Sequence, residues 1–128
     1  MSPIRLSKLE SATRAVLAFC EAINRHDIPG IMQLISDDCI YEDYTPAPDG
    51  AVYSGKAEIS LYFHDFFRLS PHIHIEIEEI FGLGYRCVLR WKYEWVDDTG
   101  EKAYLRGVDI FKLQEGFICE RLSYVKAS

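Results

Sequence analysis

Two long alternations in the second half of the chain constrain its fold more than any other feature. In the first, Tyr85, Cys87, Leu89, Trp91, Tyr93 and Trp95 alternate with Arg86, Val88, Arg90, Lys92 and Glu94. In the second, Leu105, Gly107, Asp109, Phe111 and Leu113 occupy every second position. Side chains of an extended strand point alternately to opposite faces, so a period of two assigns each set to one face of a sheet. Asp97-Asp98-Thr99-Gly100 and Glu115-Gly116 carry the turn chemistry of hairpins. Upstream, Ile73, Ile75 and Ile77 alternate with His72, His74, Glu76 and Glu78, and Gly82 and Gly84 mark the next turn. Short turns between such strands predict an antiparallel meander.

The front of the chain has helical spacing instead. Ser7-x-x-Glu10 reads as a capping box, followed by a stripe of Leu9, Ala12, Val16, Phe19, Cys20 and Ile23 that ends near His26. Asp27 is placed to cap a short second helix, with Pro29 in its first turn and Ile28, Ile31, Met32 and Ile35 turned inward. Cys39 to Thr45 alternates as a strand, with Cys39, Tyr41 and Asp43 on one face, and Pro46, Pro48, Asp49 and Gly50 form a loop. A third helix opens after Gly55, carries Ile59, Tyr62, Phe63, Phe66 and Phe67 on its apolar stripe, and stops at Ser70-Pro71. Helices in front and strands behind predict an α+β fold, with a curved antiparallel sheet wrapped around three helices. A single domain over residues 1–128 is expected, without repeat or linker.

Hydrophobic residues make up 48% of the chain, enough to build one core. The net charge of −6 argues against nucleic acid or an anionic membrane as the main partner. Cys20, Cys39, Cys87 and Cys119 are widely spaced and form no CxxC pair, so small buried thiols in a reducing compartment are expected. The N-terminus lacks an apolar signal region and no apolar run reaches membrane-spanning length, which makes the cytoplasm the expected location.

Two carboxylates stand out. Asp43 and Asp109 each share a strand face with apolar or aromatic residues, where an unpartnered charge is expensive. If both faces line one concavity, they form a pair of acids in an apolar aromatic pocket, one ionised as a base and the other protonated as a donor. A satisfied structural aspartate is the plainer alternative for either one. His72, His74 and Glu76 also share a face, but a solvated strand face explains them, and no metal or other cofactor is expected. Arg86, Arg90 and Lys92 fit a cross-strand ion-pair ladder, and His64 lies off the third helix's apolar stripe.

Asn24 to Asp27 with the run from Ile31 to Asp38, Ile40 to Asp43, Ser54-Gly55-Lys56, Arg106 to Phe111, Gly116-Phe117-Ile118 and Ser123-Tyr124 together cover nearly the whole chain. Through them the chain resembles the nuclear transport factor 2-like superfamily, in particular its SnoaL-like polyketide cyclase and ketosteroid isomerase branches. The resemblance implies a cone: three helices closing a strongly bent sheet, with a pocket at the wide end. It implies that Asp43 matches the isomerases' catalytic base and Asp109 the aspartic acid of their oxyanion hole. The same register implies a ligand pocket lined by Phe19, Tyr41, Tyr62, Leu89, Trp91, Tyr93, Phe111, Arg121 and Ser123. Phe19 and Phe63 fall where the isomerases carry tyrosines, so steroid isomerisation is expected to be negligible, and Phe19→Tyr to raise it if the pocket tolerates the added oxygen. The pattern of the similar epoxide hydrolases is broken by Gly107 and Ser123.

The expected function is binding of a small apolar organic molecule, with isomerisation or cyclisation through aspartate acid/base chemistry next to a carbonyl. The alternative is a ligand-binding or scaffold module without turnover, its pocket plugged by Trp91, Tyr93 and Phe111. Val88, Tyr104, Val108 and Ile110 on the opposite sheet face predict a homodimer through that surface.

Overall fold

The computed structural model describes residues 3–126, with side chains from residue 11 onward. Three helices, α1 (Pro3–Asn24), α2 (Ile28–Leu34) and α3 (Gly55–Leu69), pack against six strands. The strands are β1 (Ile35–Glu42), β2 (Val52–Ser54), β3 (His74–Leu83), β4 (Arg86–Val96), β5 (Lys102–Gln114) and β6 (Phe117–Val125). They form one sheet in the order β2-β1-β6-β5-β4-β3.

The predicted meander runs through β3 to β6, whose neighbours all pair antiparallel. The sheet as a whole is mixed, not antiparallel, because β1 pairs parallel to β6. That pairing joins strands remote in sequence, so no turn signal announces it. β1 also begins at Ile35, which was expected in the second helix. Ile35 remains fully buried, so its apolar character was read correctly and its backbone was not.

Helix α1 starts at Pro3, upstream of Ser7, so Ser7-x-x-Glu10 is no helix start; the side chains of both residues lie outside the described ones. Proline suits a first helical turn because it lacks the amide that would go unsatisfied there. At its other end α1 stops at Asn24, and His26 takes a positive φ of 55°. The Asn24 side-chain amide donates to the Ile75 carbonyl at 3.0 Å and accepts from the Ile75 amide at 2.7 Å, which closes part of the exposed edge of β3. Asp27 caps α2 as expected, accepting from the Gly30 amide at 3.0 Å.

The concave face of the sheet and the helices enclose the core. Phe19, Cys20, Ile23, Ile59 and Phe63 from the helices meet Cys39, Tyr41, Cys87, Leu89, Trp91 and Phe111 from the strands. Cys20, Cys39 and Cys87 are buried free thiols, and Cys119 is half-buried. Burial first, then Asp109, pushes the Cys20 thiol up to about 12. No helix among the described residues is long and apolar enough to cross a membrane.

Candidate functional site

Register assembles the buried charges. Asp109 on β5 lies opposite Leu89 on β4 and Ser123 on β6, while Phe111 lies opposite Arg121. The Asp109 carboxylate therefore accepts from Ser123 Oγ at 2.6 Å directly across the ladder. Diagonally it accepts from Arg121 Nε at 3.0 Å and from Trp91 Nε1 at 2.8 Å. Trp91 reaches it by lying over Gly107, its cross-strand partner; a Cβ there would stand 2.4 Å from the Trp91 ring and from the Tyr124 carbonyl. Three donors converge on Asp109, one of them a guanidinium, and all are inside the core. These contacts satisfy the Asp109 side chain within the core.

Arg121 links the two acids. It is fully buried, donates from Nη1 to the Glu42 carbonyl at 3.1 Å, and lies 4.3 Å over the Tyr41 ring. The same Nη1 is 3.8 Å from Asp43 Oδ1. Asp43 stands one residue past the end of β1, not in mid-strand as expected. Its amide donates to the Ala51 carbonyl at 2.9 Å, across the loop that Pro46 to Gly50 complete. Its carboxylate accepts from the Tyr44 amide at 2.8 Å and from Thr45 Oγ1 at 3.3 Å. Both acids are buried, and Asp43 lines a cavity.

That cavity, of about 550 Å³, lies between the loop after β1, strand β2 and helix α3. Asp43, Tyr44, Tyr53, Tyr62 and Phe66 line it, and Leu61 and Leu69 stand at it largely exposed. Burial first, then the Asp43 charge, pushes the Tyr44 phenol up to about 12. Burial raises Tyr62 further, against the opposing charge of Arg121 and with the help of Asp43. Both phenols keep their protons at neutral pH and can donate hydrogen bonds.

The SnoaL-like domain model matches residues 16–121. The chain belongs to the SnoaL-like family. Among solved structures, a nuclear transport factor 2-like protein of unknown function from Mesorhizobium loti is 29% identical, with 94% of each chain covered and a TM-score of 0.79. A candidate polyketide cyclase from Xanthomonas campestris pv. campestris is 20% identical over 93% of each chain, with a TM-score of 0.76. A candidate ketosteroid isomerase from Kribbella flavida is 12% identical, covers 94% of this chain and 82% of its own, and reaches a TM-score of 0.81. The last two likenesses establish the fold alone. No curated protein matches this SnoaL-like chain in sequence.

Of the expected pocket residues, Tyr62 lines the cavity beside Asp43. Phe19, Tyr41, Leu89, Trp91, Tyr93 and Phe111 instead fill the core, each at most 5% exposed. The rings interlock: Trp91 stacks on Tyr93 at 4.0 Å, and Phe19 meets Phe111 edge-on at 5.7 Å. Arg121 is enclosed with them, and Ser123 borders a separate depression with Glu42, Asp49 and Tyr124. The concave face that the register selects is thus the face that packing closes in this SnoaL-like chain. Tyr44, Tyr53 and Phe66 were not expected at the site. A signal for α3 did exist: Glu58, Leu61, Tyr62, Asp65, Phe66 and Leu69 recur at helical spacing and share one face.

Proposed function

We propose that this SnoaL-like chain binds a small organic carbonyl compound in the cavity beside Asp43 and catalyses proton abstraction next to the carbonyl, as an isomerase or cyclase does. The observation that carries this reading is a carboxylate only 6% exposed at the wall of a cavity that Tyr44, Tyr53 and Tyr62 also line. Asp43 takes the proton from the carbon next to the carbonyl, and the C–H electron pair becomes the C=C bond of an enolate. The negative charge moves to the carbonyl oxygen, where Tyr44 and Tyr53 are the available donors, since the Tyr62 phenol is hydrogen-bonded to Asp43. In a β,γ-unsaturated substrate the enolate is a dienolate and takes the proton back from Asp43 at the γ-carbon, which completes isomerisation; in cyclisation the enolate carbon attacks a second carbonyl, and Asp43 returns its proton to the resulting alkoxide. Arg121 and Asp109 act behind Asp43 as positioning residues. Asp109 touches no ligand in this scheme.

The closed core favours a second reading, a module that binds its ligand without turnover. One experiment separates the two. The α-protons of 2-tetralone exchange with D2O, and proton NMR follows the loss of their signal. Catalysis predicts saturable acceleration by the native chain and a loss of about a hundredfold or more in Asp43→Asn, the range for removing a general base. Saturable binding with the same exchange rate in both proteins favours the binding module and overturns the catalytic reading.

We also propose a homodimer through the outer sheet face, where Tyr104 and Tyr124 are more than half exposed beside the half-buried Val88, Val108 and Ile110.

A further inference from the structure

Two spaces of about 550 Å³ each adjoin the loop after β1. The first is the cavity beside Asp43, and the second is the depression that Ser123 borders. The edge of the sheet divides them. Glu42 and Val52 are cross-strand partners on β1 and β2, and both line the second space. Their chain neighbours Asp43 and Tyr53 line the first, as alternation along an extended edge requires. Past the end of β1 the strands give way to the loop, and there Tyr44 alone among the described residues lines both spaces.

The backbone of this wall is fixed without the Tyr44 side chain. The Ala51 carbonyl accepts from the Asp43 amide, the Ala51 amide donates to the Thr45 carbonyl at 2.9 Å, and the Gly50 amide donates to the Pro46 carbonyl at 2.8 Å. The Tyr44 amide itself is held by Asp43 Oδ1. The ring fills what the backbone leaves open. It is half-buried, and its centroid lies 6.0 Å from that of Trp91. Burial and then the Asp43 charge raise the phenol, Arg121 opposes them, and Asp109 adds to the rise. The ring thus stands between Asp43, which lines the first space, and Asp109, whose partner Ser123 lines the second.

We infer that Tyr44 determines the specificity of the site: its ring ends the cavity next to Asp43 and limits the length of the substituent a ligand carries on its α-carbon. The inference rests on the proposed site. With the α-carbon at Asp43, a substituent on that carbon runs toward Tyr44, the next residue along the loop. A short substituent ends before the ring and a longer one meets it. Without the ring the two spaces join, and the chain continues toward Ser123.

Equilibrium dialysis of the full chain against two ketones with one ring system tests this. The probes are 2-acetonaphthone, with a methyl group on its carbonyl, and 1-(2-naphthyl)hexan-1-one, with a pentyl group. Burying one methylene is worth about fourfold in affinity, so four more with room to enter would tighten binding on the order of a hundredfold. The native chain is expected to bind the pentyl ketone no tighter than the methyl ketone. Tyr44→Ala should bind the pentyl ketone at least about tenfold tighter than the methyl ketone. Tyr44→Leu, which keeps an apolar side chain beside Trp91, should shift the ratio in the same direction if the alanine variant does not fold. Tyr44→Phe keeps the ring and should keep the native ratio. A native chain that already prefers the pentyl ketone about tenfold, a ratio unchanged in both truncated variants, or a Phe variant that behaves like them overturns the inference and leaves the cavity as a ligand site. Absence of saturable binding by either ketone in the native chain overturns the inference and the site together.

Discussion

At the scale of single residues, the buried charges decide the stability of the interior. Arg121 serves Asp109, the Glu42 carbonyl and Asp43 at once, so its loss leaves two carboxylates without their cation. Breaking a buried pair from one side typically costs about 3–5 kcal/mol, and Arg121→Met is expected to lose stability in that range in urea denaturation. A loss below about 1 kcal/mol, the level of a surface pair, would contradict the network. Phe19→Tyr has an equally definite outcome. Its ring is enclosed by Tyr41, Phe63 and Phe111, so the added hydroxyl is buried without a cavity to enter. Thermal unfolding should register a loss of about 1–3 kcal/mol, and steroid isomerisation should not rise, because the packed rings do not tolerate the added oxygen. Both acids were legible in the sequence as charges on apolar strand faces. What the alternation could not supply was their partners, because Trp91, Ser123 and Arg121 meet Asp109 through the register of three strands.

At the scale of elements, β4 and β5 pack through one missing side chain. Gly107 leaves room for the Trp91 ring against the backbone, and this lets the indole N–H reach Asp109. Gly107→Ala places a methyl against both the ring and the Tyr124 carbonyl, and is expected to destabilise by about 1–3 kcal/mol through overpacking. Near-ultraviolet circular dichroism should change with it as Trp91 moves; an unchanged spectrum and stability would mean that the strands yield without disturbing the indole. The strands of the meander were legible because each carries its own alternation and its own turn. The parallel β1–β6 pair was not, since its partners are separated by most of the chain. Helix α3 was legible as an apolar stripe, yet its cavity face went unread because acids and exposed leucines interrupt the apolar pattern there.

At the scale of the whole molecule, a cone closed by its own aromatic residues leaves the proposed ligand a shallower seat than the family resemblance implied. The interior that should hold a ligand holds Trp91, Tyr93 and Phe111, and the open space lies farther out beside Asp43. The outer sheet face carries the assembly prediction: light scattering at micromolar protein should give twice the chain mass, and Val108→Glu should return it to one. A monomer in the native protein would remove that proposal. The location of the ligand is the central claim, and backbone-amide NMR during titration with 2-tetralone tests it most directly. The account predicts that the largest shift changes cluster at Tyr44, Tyr53, Tyr62 and Phe66. Changes centred instead on Phe19, Trp91 and Phe111 would contradict it, because they would mean that the core opens to admit the ligand.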